Sequence, residues 1–565
     1  MLILLQFILE EKIVSMKSFF LVSLVIFTSS LANLTPIYDI NLSWEENLNN
    51  LDRIAQTLPK TNLSQTRSKA TINLFGYQLN SPIGISACPL TTSHGISVVA
   101  NLGYDLITYK TIRSKKNAAY NFPNIVIIDR PEDGSQLSIT NSFGINSACP
   151  NQTILDIAKS KELLNPGQLL MVSIYGEGET LVEQIQDFLD TAKLAVIGGA
   201  DILEANLSCP NLGQEQAIYQ SELATYEICK SITTKFPQIP LVIKVGCFTD
   251  LEQMKRLFCT AAKAGAKGIC GINTVPVKVV DEHQAPVFKD REISGLSGSA
   301  IGELTLTFTK NARKIIDENQ LDLKLITTGG ITKWQNFDAL LAAGADLVQS
   351  ATGAMFNQNL ALDYHQNHNL IIDLFKIGAI KMQAIQCKNG SVSPIYFDMR
   401  TIISYPEIFN QIAQAMHTLL TKTSFDLVCG VPYGAIPLAS LTANLGKYSL
   451  IMPRKEIKAH GTKSLIEGAY QPQQVCAVIE DVVTSGSSIL ETIDGLTANG
   501  LIVKDVFVLI DREQNGVKNI QKRGYHVHTL FTITNILQNL LVAGLIDASQ
   551  FATVQQFCAN TPVDL

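Results

Sequence analysis

The segment VCAVIEDVVTSGSSI, residues 475–489, is the most informative part of the sequence for the fold of the C-terminal region. Its apolar run is typical of a buried strand and ends in the acids Glu480 and Asp481. The small residues TSGSS (484–488) then lead into a helical pattern from about Ile489. Such a loop lets backbone N–H groups converge on a phosphate at the start of a helix. Because the acids would repel a phosphate, we expect them to face the hydroxyls of an attached sugar, or Mg²⁺.

The surrounding sequence alternates between apolar runs and helical patterns. The other runs are PIYFDM (394–399), FDLVCGVPYG (425–434), KYSLIMPRKE (447–456) and DVFVLIDRE (505–513), and helices are predicted at 407–421, 435–445, 486–499 and 514–523. Strands that alternate with helices favour a parallel sheet, which binds ligands at the carboxyl ends of its strands. The sequence therefore predicts an open parallel-sheet α/β domain over residues 366–565.

The acidic pair and its loop resemble the ribose-phosphate motif of the type I phosphoribosyltransferases. Two further segments resemble orotate phosphoribosyltransferases and are close to that domain of eukaryotic UMP synthases: the basic loop PRKEIKAHGTK (453–463) and the orotate-side segment CKNGSVSPIYFD (387–398). The resemblance implies a PRPP site formed by Arg454, Lys455, Lys458, His460, Glu480, Asp481, Thr484, Ser485, Gly486, Ser487 and Ser488, with Lys458 and His460 catalytic. For orotate it implies Lys388, Tyr396, Phe397, Thr484 and Arg512.

The same resemblance implies that orotate displaces pyrophosphate from Mg²⁺-bound PRPP while protein cations stabilise the departing charge. Mg²⁺ is expected to be held through PRPP, without direct protein ligands. The segment GVPYGAIPLA (430–439) resembles the pyrophosphate loop, although Gly434 stands where bacterial members often carry Lys. In this family the basic loop crosses to the neighbouring subunit, which implies a homodimer. A non-catalytic ligand sensor is the alternative, and the acidic pair together with the basic loop argues against it.

Upstream, eight short apolar runs separated by helical patterns predict a (β/α)8 barrel over residues 67–360. The runs are PIGISA, DLITYKT, LMVSIYG, ILEANLS, LVIKVG, GICGINT, KLITTGG and LVQSAT. They end in polar or small residues such as Lys110, Lys244 and Asn273, and a barrel places all these ends on one face. The insertion at 111–168 contains TNSFGINSACPN and is expected to cover the site as a lid.

Two Gly-containing loops follow the seventh and eighth runs, TTGG (327–330) and SATG (350–353). Together they can present backbone N–H groups to one phosphate. Lys244, at a strand end inside the barrel, would be costly to bury unpaired. A flavin, whose N1/O2 edge is anionic when reduced, would be a suitable partner. At the end of the fourth run, ANLSCPN (205–211) directs Cys209 towards the site.

The motif NLSCPN closely resembles dihydroorotate dehydrogenases, and its Cys resembles their class 1, since class 2 uses Ser. The resemblance implies that Cys209 removes the C5 proton of dihydroorotate while FMN takes hydride from C6. It implies FMN contacts from Ser86, Ala87, Lys110, Lys244, Asn273, Gly298, Gly329, Gly330, Ala351 and Thr352. For dihydroorotate and orotate it implies Lys110, Asn141, Gly144, Asn206, Asn211, Asn273 and Thr274.

The two resemblances together imply a bifunctional enzyme of pyrimidine biosynthesis. The barrel of dihydropyrimidine dehydrogenase shares NLSCP, so oxidation or reduction of another pyrimidine is the alternative for the first domain. The TNSFG segment and fusion to a transferase that consumes orotate favour dihydroorotate. The electron acceptor stays open between fumarate, NAD through a flavoprotein partner, and a quinone.

The 565 residues carry a net charge of −6, which gives no electrostatic reason for nucleic-acid binding. Eleven cysteines without a CxxC pair favour a reducing, cytoplasmic compartment. The segment MKSFFLVSLVIFTSSLA (16–32), within an N-terminal extension at 1–66, conflicts with a cytoplasmic compartment, because it has the Lys, the apolar stretch and the small-residue end of a secretory signal. It predicts a signal or membrane anchor, a helix that precedes the domain, or an over-extended start, and an anchor would place a cytoplasmic body at a membrane.

Overall fold

The computed structural model describes residues 2–6, 21–23, 36–57, 72–129, 137–208, 217–281, 283–289, 291–386, 392–454, 466–561 and 563. It divides into two compact units, Met1–Gln366 and Asn367–Leu565. The sequence places the end of the first domain at 360 and the start of the second at 366. Both positions fall within one helix, Leu360–Lys376.

The first unit contains the predicted closed barrel of eight parallel strands, which is confirmed. The strands are Ile83–Ile85, Leu106–Ile112, Leu169–Ile174, Ile202–Asn206, Leu241–Lys244, Gly268–Gly271, Lys324–Thr328 and Leu347–Ser350. The helices are Ser93–Asn101, Pro150–Glu162, Leu181–Ile197, Glu222–Lys235, Leu251–Lys263, Gly302–Glu318, Gln335–Ala342 and Thr352–Phe356, with short 3₁₀ turns at Ile218–Gln220 and Ser299–Ile301. Several strands are buried at every position, which explains why they read as continuous apolar runs.

The end of the barrel opposite the strands' carboxyl ends is closed by a hairpin, Ile72–Leu74 with Tyr77–Leu79. Its Leu74 and Leu79 are buried in one apolar cluster with the beginnings of the barrel strands. The helix Trp44–Thr57 packs on the helix Ser93–Asn101. Part of the N-terminal extension therefore belongs to the barrel unit.

An antiparallel sheet lies outside the barrel. Its strands, in spatial order, are Leu21–Ser23, Leu2–Gln6, Val275–Val280, Ile293–Gly298, Ser138–Asn141 and Ile125–Asp129. The insertion at 111–168 supplies two of these strands, whereas the two at 275–298 come from a second insertion, after the sixth barrel strand, that the sequence did not reveal. The sheet joins the two insertions side by side.

The apolar segment 16–32 lies outside the described residues except for Leu21–Ser23, which form a strand and not a helix. Strand Leu2–Gln6 pairs antiparallel with Leu21–Ser23 on one side and with Val275–Val280 on the other. In the part of the chain that the structure describes, no helix has the length and hydropathy of a membrane span.

The second unit contains the predicted open sheet, with strand order Ile466–Glu467, Ser449–Pro453, Leu427–Gly430, Val475–Val483, Ile502–Asp511 and His526–Thr532. All neighbours are parallel except the edge strand Ile466–Glu467. The helices are Pro406–Leu420, Ile436–Gly446, Ser487–Ala498, Gly516–Lys522, Ile533–Val542 and Ala548–Asn560, with a 3₁₀ segment at Met399–Ser404. Small two-residue strands pair Ile380–Lys381 with Tyr396–Phe397 and Ile385–Gln386 with Val392–Ser393.

Two details of the predicted sheet were wrong. PIYFDM does not enter the main sheet: only Tyr396–Phe397 is extended, in an antiparallel pair with Ile380–Lys381. Pro394 lacks the N–H that a central strand needs. The fifth parallel strand, His526–Thr532, was missed because most of its residues are half-buried and it lacks a continuous apolar run.

Candidate active sites

A cavity lies at the carboxyl ends of the barrel strands, the face on which barrels carry their sites. Nine of the ten residues predicted to contact FMN line this one cavity: Ser86, Ala87, Lys244, Asn273, Gly298, Gly329, Gly330, Ala351 and Thr352. Thr274, predicted to contact the substrate, also lines it. The tenth residue, Lys110, is not among the lining residues. Positions spread over 267 residues of sequence therefore meet at one site.

The cavity wall includes backbone that only glycine can supply. Gly298, Gly329 and Gly330 have φ values of 85°, 107° and 79°. A Cβ added at Gly330 would lie 2.4 Å from Cα of Gly302, because the backbones of these two glycines approach each other closely. The helix Thr352–Phe356 begins at the cavity, and the first N–H groups of a helix have no partner within it. These features suit the phosphate of a bound nucleotide.

Lys244 supplies the positive charge in this cavity. It is buried, and its Nζ donates to Oγ of Ser86 at 3.1 Å across the barrel. The ammonium also lies 3.8 Å from a carboxylate oxygen of Glu204. A buried cation that lines a cavity suits a ligand whose facing edge is, or becomes, negative. Glycine loops and a buried cation together fit a phosphorylated flavin.

Polar side chains meet where the fourth strand ends. Nδ2 of Asn273 donates to the backbone oxygen and to Oγ of Ser208, both at 3.1 Å, and approaches Oδ1 of Asn206 at 3.4 Å. Asn206 in turn reaches Oγ1 of Thr111 at 3.3 Å. Ser208, the residue directly before Cys209, is therefore hydrogen-bonded to the cavity residue Asn273. Cys209 and Asn211 themselves lie outside the described residues.

Lys110 lies near the N-terminal helix. Its ammonium is 5.5 Å from the ring centroid of Trp44 and donates to the backbone oxygen of Asn146. Burial lowers the pKa of Lys110 to about 7, although the negative charge of Asp156 acts in the opposite direction. The side chain can therefore gain or lose its proton near neutral pH. Nothing in the sequence around Trp44 revealed this contact.

The two insertions hold the predicted substrate residues of the lid. Nδ2 of Asn141 donates to the backbone oxygen of Gly295 at 3.1 Å, across the antiparallel pair. The backbone oxygen of Gly144 accepts from Nδ2 of Asn117 at 2.8 Å and from the Arg113 guanidinium at 3.3 Å. Backbone and amide contacts thus fix the TNSFG segment.

In the second unit, Glu480 and Asp481 lie near the carboxyl end of the central strand Val475–Val483. Glu480 is buried and accepts from the backbone N–H of Asp481 at 3.0 Å, and Asp481 accepts from the N–H of Val482 at 2.8 Å. A Cβ at Gly434 would approach the Asp481 carboxylate to 2.5 Å. The absence of a side chain at 434 therefore leaves room for Asp481 beside the predicted pyrophosphate loop.

The TSGSS loop follows directly. Gly486 has φ 88° and precedes the helix Ser487–Ala498, and Oγ of Ser485 accepts from the N–H of Ser487 at 3.2 Å. Nδ2 of Asn519 supports the loop by donating to the oxygen of Ser485 at 3.0 Å. The structure thus places the predicted residues Thr484, Ser485, Gly486, Ser487 and Ser488 at one helix start beside the acids.

Arg512 and the orotate-side segment also come together. Nη2 of Arg512 donates to Oγ of Ser393 at 3.0 Å, three residues before Tyr396. Phe397 is buried and Tyr396 half-buried. Arg454 is described and pairs with Glu467 of the edge strand. Lys388, Lys455, Lys458 and His460 lie outside the described residues.

Sequence reasoning missed several residues of these sites. Ile272, Ser297 and Thr328 line the barrel cavity, and Ser297 accepts from Thr352 at 3.1 Å. Thr328 lies in the loop TTGG, which was predicted to bind phosphate, and Ile272 could have been found because it lies near the end of a predicted strand. Ser297 could also have been found, because it directly precedes Gly298, which the resemblance implied as an FMN contact.

Comparisons with known proteins agree with this geometry. The family model for dihydroorotate dehydrogenase matches residues 69–366. A dihydroorotate dehydrogenase of Dictyostelium discoideum is 38% identical over 362 residues, covering 59% of this chain and 97% of that protein. An orotate phosphoribosyltransferase of Caenorhabditis elegans is 37% identical over 178 residues, covering 31% of this chain and 78% of that protein.

A uridine 5'-monophosphate synthase of Bos taurus is 42% identical over 191 residues, which cover 34% of this chain and 40% of that synthase. The similarity is thus to about two fifths of the synthase. The family matched by the barrel implies a flavin cofactor, which the glycine loops and Lys244 fit. The chain therefore belongs to the dihydroorotate dehydrogenase family and, in a second segment, to the orotate phosphoribosyltransferases.

Proposed function

We propose that the chain catalyses two successive reactions: oxidation of dihydroorotate to orotate in the barrel, and transfer of phosphoribose from PRPP to orotate in the C-terminal domain. The observation that supports this proposal is that, in each unit, several of the described residues predicted for its site lie together. Nine of the FMN residues line one cavity, and the acidic pair adjoins the TSGSS helix start. The products are orotidine 5'-monophosphate and pyrophosphate.

In the barrel, the Cys209 thiolate takes the C5 proton of dihydroorotate, as in class 1 of the family. Bound FMN would accept the hydride from C6. Asn206, Asn273, Thr274 and Asn141 hold the ring amides and carboxylate in the geometry that this removal needs. Lys244 provides the cation beside the flavin edge that becomes negative.

In the transferase domain, the ribose hydroxyls of PRPP donate to Glu480 and Asp481, while the TSGSS loop binds the 5'-phosphate. Arg512 and the 392–397 segment orient orotate, so that its N1 faces the anomeric carbon. Mg²⁺ enters with PRPP, and Lys458 and His460 stabilise the departing pyrophosphate. Completion of this site by a neighbouring subunit's basic loop makes the enzyme a homodimer.

The proposal is tested with the full chain carrying FMN. Dihydroorotate, an electron acceptor, PRPP and Mg²⁺ together should give orotidine 5'-monophosphate, and omission of PRPP should stop the reaction at orotate. Dihydrouracil in place of dihydroorotate should not reduce the flavin. Reduction by dihydrouracil at a comparable rate would instead identify the barrel as an enzyme for another pyrimidine.

A pH dependence of orotate binding follows from Lys110. Its pKa of about 7 means that Lys110 is largely neutral in the free enzyme above this pH. Orotate is an anion and favours the protonated form, so binding above pH 7 must also take up a proton. We expect the dissociation constant to rise by up to about tenfold per pH unit above 7.

Orotate binding to the barrel can be followed through flavin absorbance, so the transferase site does not contribute. Lys110→Arg is the matched variant, because a guanidinium keeps its charge. It should bind orotate with the same affinity from pH 7 to 9. A pH-independent dissociation constant in the unmodified enzyme would refute the role of Lys110.

Arg291 is expected to fix the position of the first insertion next to its predicted substrate residue Asn141. Its guanidinium donates to the backbone oxygens of Ser142, Asn121 and Pro123 at 2.8, 2.9 and 3.0 Å. Ser142 follows Asn141, so Arg291→Met should loosen a substrate contact without touching FMN. We expect KM for dihydroorotate to rise about tenfold, equivalent to one or two hydrogen bonds. Arg313→Met, which removes an ion pair with Asp346, is the control. An unchanged KM in Arg291→Met would contradict this role.

A further inference from the structure

Glu204 is an unusual residue for the interior of a barrel. It lies in the fourth strand, Ile202–Asn206, and is fully buried. Such interiors are mainly filled by branched apolar side chains. Among the residues that the structure describes, no N–H or O–H group donates a hydrogen bond to either carboxylate oxygen of Glu204, and the thiol of Cys270 is the weak donor that reaches it. A buried carboxylate of this kind needs a compensating charge.

The compensating charge is Lys244. Its Nζ lies 3.8 Å from Oε1 of Glu204, and both side chains are almost completely shielded from solvent. Lys244 also lines the cavity in which FMN is proposed to bind. Lys244 therefore adjoins both the buried carboxylate and the ligand site.

The two cysteine thiols near Lys244 stay neutral between pH 8 and 9.5, the range used in the test below. Burial raises the pKa of Cys88 to about 11, while the positive charge of Lys244 acts in the opposite direction. Burial, followed by the negative charge of Glu204, holds the pKa of Cys270 well above its usual value. Ser86, which accepts from Lys244, does not titrate. Glu204 is thus the anion that faces this lysine from the described barrel strands.

We propose that Glu204 is a positioning residue that keeps Lys244 protonated while the flavin is oxidised. The cation is then already present when negative charge develops on the flavin. This inference rests on the proposed function of the barrel. Without Glu204, burial would favour neutral Lys244, because a low-dielectric site disfavours an unpaired ammonium. Lys244 would then acquire its proton only when reduction supplies a negative partner.

The test is the number of protons taken up per two electrons, obtained from the flavin midpoint potential between pH 8 and 9.5. With Lys244 protonated in both redox states, reduction to the anionic flavin takes up one proton. In Glu204→Gln, which keeps the side-chain shape, we expect two, because Lys244 is protonated together with reduction. Lys110 is present in both proteins, so any proton that it takes up contributes equally to both proton counts.

Glu222→Gln is the matched control, since Glu222 pairs with Arg256 at 2.8 Å on the surface. Reduction of the flavin in Glu222→Gln should take up one proton per two electrons, as in the unmodified enzyme. Retention of bound FMN and an unchanged near-UV circular dichroism spectrum check that the barrel of each variant is folded. If Glu204→Gln does not fold, Glu204→Gln with Lys244→Met should restore folding, because it removes both charges.

One proton per two electrons in Glu204→Gln would overturn the inference and leave the proposed function intact. Failure of the double variant to restore a fold lost in Glu204→Gln would overturn it as well. If the unmodified chain instead bound no flavin, the proposed function itself would fail.

Discussion

Cys209→Ala should retain FMN and lose reduction of the flavin by dihydroorotate, with a rate constant about 10²–10⁴-fold lower. The substitution removes the base that takes the C5 proton, whereas the glycine loops and Lys244 stay in place. Ser208, the preceding residue, is bonded to the cavity residue Asn273 through both its backbone oxygen and its hydroxyl. These contacts fix the chain up to the residue before Cys209, so the loss should be chemical and not a loss of fold.

Stopped-flow absorbance under anaerobic conditions measures this step directly. Cys149→Ala, at the start of the helix Pro150–Glu162, is the matched control and should reduce at the normal rate. Cys209→Ser should keep a slow rate that increases with pH, because a hydroxyl is a poorer base at neutrality. Normal flavin reduction in Cys209→Ala would exclude Cys209 as the base.

Glu480→Gln with Asp481→Asn should weaken PRPP binding by about 10²-fold or more and abolish nucleotide formation. Hydrogen bonds to a charged acceptor contribute about 1.5–3 kcal/mol each, and amides replace them poorly. The fold should persist, because both substitutions keep side-chain size at the end of the strand Val475–Val483. Flavin reduction in the barrel should be unaffected.

Isothermal titration with PRPP and Mg²⁺ gives the affinity. The control is Glu491→Gln with Asp494→Asn, which makes the same charge change on the exposed face of the helix Ser487–Ala498. Lys458→Ala should instead lower turnover more than PRPP affinity, since its charge matters most as pyrophosphate departs. Unchanged PRPP affinity in the double acid variant would show that the acids do not hold ribose.

The barrel could be predicted because each of its strands can be recognised from its own short stretch of sequence. Each strand is short and buried on both sides, so each appears as its own apolar run, and its polar end identifies the side that faces the site. The same argument predicts that Lys244, Asn273 and Thr352 meet on one face of the barrel, and they line one cavity there. In the second domain, the order of strand, acids, loop and helix was equally local.

What could not be predicted depends on pairing between distant segments. The strands at 275–298 became recognisable as a second insertion only through their pairing with the strand Ser138–Asn141. Glu204 stands within an apolar run, and its relation to Lys244 exists only because neighbouring strands direct both side chains inward. His526–Thr532 is stabilised mainly by a neighbouring strand, Ile502–Asp511, and its own sequence carries little apolar signal.

The helix Leu360–Lys376 determines how the two activities could be separated by protein engineering. His365 donates from Nε2 to the oxygen of Gly103 at 2.9 Å, within the barrel unit, whereas His368 accepts from Asn539 at 2.8 Å, within the transferase unit. A cut between them would divide 17 helical residues into pieces shorter than the ~12–15 residues that isolated helices need. Separate expression of the two halves should therefore include this helix in both products.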